Sequence, residues 1–345
     1  MGGKPVFEVP AKSVINFTSG FGHKLLCDSL TFTAGSACQY SCTFCYVEDL
    51  MLKNPHWAAA QKANPGIKFE DIVIRRKDAI EAIRKTLTDR HGASRYLAPM
   101  PANIKNEDKR LYGPAVIYGS PLVDVAANLE LVKETVEIVK LFLQHTPWHI
   151  RLLSKSNLLP KVAQLLDEGI YSGQARARVI YGVSTGTLDD KLAAGFEQGT
   201  ALVSKRIQSL HWLQDNGFRT YAMVCPSLPQ DNYTQFAHDV CKALRVEKCE
   251  HLWGEVINAR GESFTRTESA IRSAGFTQDA DRFKHVMTDK VAWETYAQST
   301  FHCFAGELKD AQGPDRTPKL RFLQYVTAET KPWWQARKDV GAILL

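Results

Sequence analysis

No window of this 345-residue sequence approaches the roughly 18 consecutive apolar residues that a membrane span needs, so no membrane-crossing helix is expected. The opening residues, MGGKPVFEVP, hold no apolar run of the kind found in a secretory leader. Val6 stands where an N-myristoylation signal wants Ser or Thr, and the expectation is a cytoplasmic protein. Internal repeats and low-complexity tracts are missing too, which sets solenoid arrays aside. Neither a Walker loop nor an H-E-x-x-H pair occurs, and no nucleophile elbow is read, so the common acid–base and phosphate-binding motifs have no carrier. Neither sign of charge dominates: 43 Lys and Arg against 37 Asp and Glu leave a net charge of +6, too mild to name a partner.

What is present reads as an ordinary globular chain, 44% apolar and 23% charged, long enough for one barrel-sized domain or two smaller ones. Two short basic clusters, Arg75-Arg76-Lys77 and Lys109-Arg110, could meet the phosphates of a nucleotide or nucleic acid, or form a solvated surface. Short β-branched runs at 29–33, 115–118, 149–153, 178–183, 220–224 and 252–257 predict strands. Helical patterns separate them: Val132, Val136, Val139 and Leu143 mark one stripe in 129–144, and Ile207, Leu210 and Leu213 mark another in 204–217. Further helices are predicted over 78–88 and 157–169. Parallel strands joined by right-handed helical crossovers give either a partial (β/α)6 barrel or an open doubly wound sheet. In both, chemistry sits at the carboxyl ends of the strands. Beyond about Arg260 the alternation fades into a polar segment with an aromatic tail that includes Trp333 and Trp334. The expected organisation is therefore an N-terminal extension (1–27), an α/β segment (28–260) and a C-terminal extension (261–345) serving as a lid.

Eight cysteines in a cytoplasmic chain point to metal or redox chemistry more than to disulfides. Cys27, Cys225, Cys241, Cys249 and Cys303 are scattered, but Cys38, Cys42 and Cys45 crowd into FTAGSACQYSCTFCYVEDL, residues 32–50, directly after the first predicted strand. Thiolates spaced C-x3-C-x2-C can bind three irons of a 4Fe-4S cluster and leave the fourth with open coordination. Zinc would ask for a fourth ligand, for which Cys27 and His23 are the nearby candidates, and a ferredoxin-type carrier would supply four cysteines.

Cys38–Tyr46, with Phe44 just before the last cysteine, is similar to the signature of the radical S-adenosylmethionine (SAM) superfamily. FEDIVIRRKDAIEAIRKTL at 69–87, LLSKSNLL at 152–159, VSTGTLDDKLAAGFEQGT at 183–200, YAMVCPSLPQDNY at 221–233 and LWGEVINARG at 252–261 resemble its spore photoproduct lyase-like branch, often labelled DNA repair photolyase. The resemblance spans about residues 25–261. It implies a partial (β/α)6 TIM-type barrel, a 4Fe-4S cluster on Cys38, Cys42 and Cys45, and SAM as the second cofactor. It places the backbone around Phe44 against the adenine, Gly119 and Ser120 at the methionine amino group, Lys155 at the SAM carboxylate, and Ser184 at the ribose or carboxylate. Tyr46 matches a tyrosine of the hydrogen-transfer path. On the residues alone, Lys155 also reads as a helix-entry charge, and Tyr46 as a rim aromatic.

The branch also uses a hydrogen-donor cysteine some way after the cluster motif, and here no cysteine occurs between Cys45 and Cys225. Cys225, at the predicted end of the fifth strand, is the candidate to donate hydrogen or bind a thiophilic substrate, or else a buried small hydrophobe. The expected activity is one-electron cleavage of SAM to a 5′-deoxyadenosyl radical, with ferredoxin or flavodoxin as electron donor and a small molecule or nucleic acid as substrate. Transfer of SAM's aminocarboxypropyl group is an alternative. A non-catalytic zinc or iron–sulfur nucleic-acid-binding protein is an alternative of another class.

Overall fold

The computed structural model describes residues 4–11, 13–259 and 261–345, so Arg260, the expected end of the α/β segment, lies outside the described residues. The chain divides into two compact units. The first runs to Tyr40 and resumes over Tyr46–Tyr181; the second comprises Ser41–Cys45 and Gly182–Leu345.

In the first unit β1 (Leu30–Phe32), β2 (Val116–Gly119) and β3 (His149–Ser154) run parallel, with Phe32 level with Gly119 and Gly119 level with Leu152. That register brings three carboxyl strand ends to one edge. Helix α1 (Leu129–His145) starts where the Asn128 side chain accepts from Leu131 N–H, satisfying one of the first-turn donors. Its predicted stripe is buried, and Leu131, Ile138, Leu141 and Phe142 are buried with it. The wider apolar face follows from packing on both sides, against the helix Ala79–Leu87 and against α2 (Leu159–Asp167).

A second small sheet joins Val6–Pro10 in parallel to Val73–Lys77, which pairs antiparallel with Gly35–Ala37. No strand is expected at 73–77 from the sequence, because three of its five residues are Arg75, Arg76 and Lys77. Tertiary pairing on both sides overrides that local signal. Folding engages the two arginines of the basic cluster. Arg75 pairs with Glu134, while Arg76 donates to the carbonyls of Ser13 (2.7 Å) and Thr33 (3.3 Å). Arg110 likewise donates to the carbonyls of Asp28 (2.9 Å) and Phe17 (2.6 Å). These three guanidiniums are each engaged within the fold.

Two imidazoles of this unit are biased toward the neutral form. His56 Nδ1 lies 2.9 Å from Ser36 Oγ and His145 Nδ1 lies 2.7 Å from Ser94 Oγ. Burial, and then the nearby Arg76 and Arg84 respectively, push both below the ordinary value of 6.5. Below pH 6.5 the unfolded chain takes up protons that the folded chain refuses, so stability declines as the pH falls through that value. The melting temperature is expected to fall between about pH 7 and pH 5.5, and to fall less in His145→Asn. A melting temperature that climbs over this interval, or an equal fall in the variant, contradicts the assignment.

In the second unit β5 (Arg219–Ser227) and β6 (Leu252–Val256) pair in parallel. Strand β4 (Val179–Thr185) carries the division between the units, its residues from Gly182 onward belonging to the second. Helices α3 (Asp190–Phe196), α4 (Val203–Asp215) and α5 (Tyr233–Ala243) fill the intervals, as the alternation predicts. The polar C-terminal segment then departs from expectation. After α6 (Gly261–Ser273), α7 (Thr277–Thr288) and α8 (Lys290–Glu307) it returns to the sheet as β7 (Leu320–Gln324) and β8 (Ala342–Leu344), both parallel. The aromatic tail belongs to this core: Trp334 is fully buried, stacked on Phe322 at 5.9 Å and edge-on to Phe301 at 5.3 Å. Buried aromatic area accounts for the composition that had suggested a lid.

Candidate functional site

At the edge of the first unit the strand ends are tied together by short polar links. Ser120, just past β2, donates to Thr33 Oγ1 at 2.8 Å, and Thr33, just past β1, donates to the Gly35 carbonyl at 2.9 Å. Asp124 closes the other side. Its Oδ1 accepts from Ser154 Oγ and its Oδ2 from Lys155 N–H, both at 2.7 Å, so the β2 exit holds the end of β3 and the half-buried Lys155 begins from a fixed backbone. Nothing in the sequence marks Asp124; its signal, an Asp whose side chain accepts from Ala126 N–H at 2.9 Å, is local and generic. Gly119 has a reason other than ligand approach: a Cβ there would lie 2.2 Å from the Phe32 ring. Tyr46 is half-exposed and its hydroxyl donates to the Pro121 carbonyl at 2.6 Å. Cys38 follows the strand Gly35–Ala37 and is half-buried.

Cys42 and Cys45 belong to the second unit, where they share one turn closed by Cys45 N–H on the Cys42 carbonyl at 3.1 Å. Ser41–Cys42 pairs antiparallel with Glu197–Gln198, Cys42 opposite Glu197. Thr43 N–H donates to the Phe196 carbonyl at 2.9 Å, Thr43 Oγ1 lies 2.9 Å from Thr267 Oγ1, and the Phe44 ring sits 5.6 Å from Phe196. The end of α3 thus fixes the turn along its length.

Ser184 is buried near the end of β4, and its hydroxyl donates to the Cys225 carbonyl at 3.0 Å, leaving its lone pairs for an incoming donor. By its letters Gly182–Gly186 fits G-x-S-x-G, against the expectation that the sequence holds no such elbow. Ser184 lies within a strand rather than on a strand-to-helix elbow, and its proton goes to a carbonyl. The two glycines answer to packing: a Cβ at Gly182 would meet the Tyr221 ring at 2.2 Å and one at Gly186 the Pro226 carbonyl oxygen at 1.8 Å. Cys225 is half-buried, with its Sγ 3.6 Å from Glu255 Oε2 across β5 and β6.

Glu197, the ladder partner of Cys42, is held in a buried ion pair. Arg206 and Glu197, both essentially inaccessible, meet at 2.6 Å. Ile207, expected on the buried stripe of α4, is half-buried, and Arg206 takes the core position beside Val203, Leu210 and Leu213. A cation on an otherwise apolar face was the available signal.

No family model matches the chain, and no curated protein does. Solved structures do. A spore photoproduct lyase double variant with bound AdoMet and dinucleoside spore photoproduct aligns over 77% of this chain with a TM-score of 0.50 at 10% identity. The fold is that of spore photoproduct lyase. A single variant of that lyase with dinucleoside spore photoproduct gives a TM-score of 0.51 at 9% identity over 77% of this chain. The alignments cover 66% and 65% of those chains, just under two thirds of their length. The parallel strands and crossover helices expected from the alternation are therefore the lyase fold.

Among the described residues no group of three or more His, Cys, Asp or Glu side chains is gathered closely enough to hold a metal ion. The donor set of the cysteine segment nonetheless fits an iron–sulfur cluster. It consists of three half-buried thiols, two of them on one hydrogen-bonded turn, and soft sulfur donors suit such clusters. No described helix is long and apolar enough to cross a membrane.

Proposed function

We propose that this chain is a radical SAM enzyme, in which Cys38, Cys42 and Cys45 ligate three irons of a 4Fe-4S cluster and SAM occupies the fourth. The observation that carries the reading is the C-x3-C-x2-C segment that follows β1 and the short strand Gly35–Ala37 in a chain with the spore photoproduct lyase fold. When bound, cluster and SAM together supply one-electron cleavage of a carbon–sulfur bond and hence a carbon radical. The protein's part is binding and orientation. Ser120 directs its own proton to Thr33, so its oxygen is an acceptor for the methionine ammonium beside Gly119. Lys155, its backbone clamped by Asp124, is the partner for the SAM carboxylate. Ser184, its proton spent on Cys225, accepts from a ribose hydroxyl, and the backbone at Phe44 meets the adenine. Tyr46 and Cys225 form the hydrogen-return path, with Cys225 S–H held at Glu255.

Within this reading residues 28–260 form the catalytic segment and 261–345 an extension that completes the sheet. A ferredoxin or flavodoxin supplies the electron, and the cytoplasm is the compartment that suits it. The aligned lyase structures hold a dinucleoside spore photoproduct, so damaged thymine dinucleotides are the first substrates to try.

The test is made on protein purified and reconstituted without oxygen, reduced with dithionite and given SAM alone. Release of 5′-deoxyadenosine above enzyme-free controls is expected; release of methylthioadenosine instead would assign aminocarboxypropyl transfer, and a zinc-loaded colourless protein would end both readings. Once a substrate is found, Cys225→Ser is expected to keep SAM cleavage while losing product by about tenfold or more. Equal loss of both would remove Cys225 from the hydrogen-return path.

A further inference from the structure

Burying a guanidinium and a carboxylate costs several kcal/mol per ion unless close pairing and further hydrogen bonds offset it. Arg206 has all of these. Besides Glu197 at 2.6 Å, it donates through Nε to the Ala201 carbonyl at 2.7 Å, through Nη2 to Thr200 Oγ1 at 2.5 Å, and through Nη1 to the Ser184 carbonyl at 3.1 Å. Thr200 in turn donates through its hydroxyl to the Glu197 carbonyl at 2.7 Å, closing the turn after α3. Asp190 of α3 binds the first turn of α4 through Ser204 N–H at 2.8 Å and Ser204 Oγ at 2.6 Å. Two of these contacts lead on to the cysteines. Glu197 is the backbone partner of Cys42, and Ser184 is bonded to the Cys225 carbonyl.

We propose that the buried Arg206–Glu197 pair is a positioning device that locks the Cys42–Cys45 turn in register with the carboxyl ends of β4 and β5. This rests on the radical SAM reading of the same site, and deepens it. The pair reaches the site through backbone, Arg206 at the Ser184 carbonyl and Glu197 as the ladder partner of Cys42. It acts by fixing the two-residue ladder on one side and Ser184 on the other. A hydrophobic contact of the same size would hold the turn close. The guanidinium fork adds direction, since its planar donors meet four oxygens only in one orientation.

The test compares wild type, Arg206→Lys and the near-isosteric Glu197→Gln as cofactor-free full-length chains, labelled with iodoacetamide and mapped by mass spectrometry. Cys42 and Cys45 are expected to react about tenfold faster in both variants, reporting local release of the turn. The buried Cys249 should react as in wild type. Unchanged labelling at Cys42 and Cys45 overturns the proposal. A parallel rise at Cys249 in both variants overturns it too, because the pair would then support the whole unit. After anaerobic reconstitution, iron per chain should match wild type while SAM binding, read from its effect on the electron paramagnetic resonance of the reduced cluster, weakens about tenfold. Wild type that binds no cluster defeats the parent reading and leaves the labelling result to stand for itself.

Discussion

Cys42→Ala protein, reconstituted beside wild type, is expected to release at least about a hundredfold less 5′-deoxyadenosine, with its melting temperature nearly unchanged. The two halves of this result have separate causes. Cys42 is half-buried in a two-residue ladder whose backbone bonds to Glu197–Gln198 survive the loss of the sulfur. Alanine keeps the Cβ and forfeits only a small side-chain contact, a change that costs about 1 kcal/mol at most such positions. The cluster, by contrast, loses one of three protein ligands. Equal nucleoside release from the variant would show that Cys42 ligates nothing needed for SAM cleavage, and the proposed function would fail with it. A collapsed melting temperature would instead give the thiol a structural role that its half-exposure does not suggest.

Gly186→Ala is expected to be the most damaging of the conservative glycine substitutions in the second unit. The added methyl would stand 1.8 Å from the Pro226 carbonyl oxygen and 3.0 Å from its carbon, and both are backbone atoms that no rotamer change can move. Relief needs displacement of β5 where it carries Cys225, at an expected cost of about 3 kcal/mol or more and a drop of roughly 10 °C in melting temperature. Gly173→Ala is the control. It lies exposed in the helix Ser172–Arg178, a Cβ there meets nothing within 4 Å, and the substitution is expected to stabilise by about 0.5–1 kcal/mol. Thermal unfolding of both variants decides the matter, and a Gly186→Ala protein as stable as wild type would mean that the β4 and β5 ends are looser than their contacts indicate.

The residues best read from the sequence are those whose meaning is local. The six strand positions from Leu30–Phe32 to Leu252–Val256 were legible because β-branched runs and helical stripes alternate there. The cysteine segment was legible because three soft donors within eight positions have few other uses. Val73–Lys77 was not, since its pairing partners Val6–Pro10 and Gly35–Ala37 lie far off in the chain and its own residues are mostly cationic. The strands Leu320–Gln324 and Ala342–Leu344 were hidden in the same way, behind three polar-faced helices. Trp334 had the right composition for a lid and the burial of a core residue.

By itself, then, the order of residues determined the alternation of strands and helices, the three-thiol motif and the strand-end positions of Gly119, Ser120, Lys155, Ser184 and Cys225. Only the tertiary structure decided what those groups are bonded to. Asp124 clamps Lys155, Phe32 demands Gly119, and Arg206 joins Glu197 to Ser184 through contacts that no local pattern encodes. The reason is physical: a propensity or a motif is a property of neighbours in sequence, whereas a buried charge is tolerated only where distant segments converge to satisfy it.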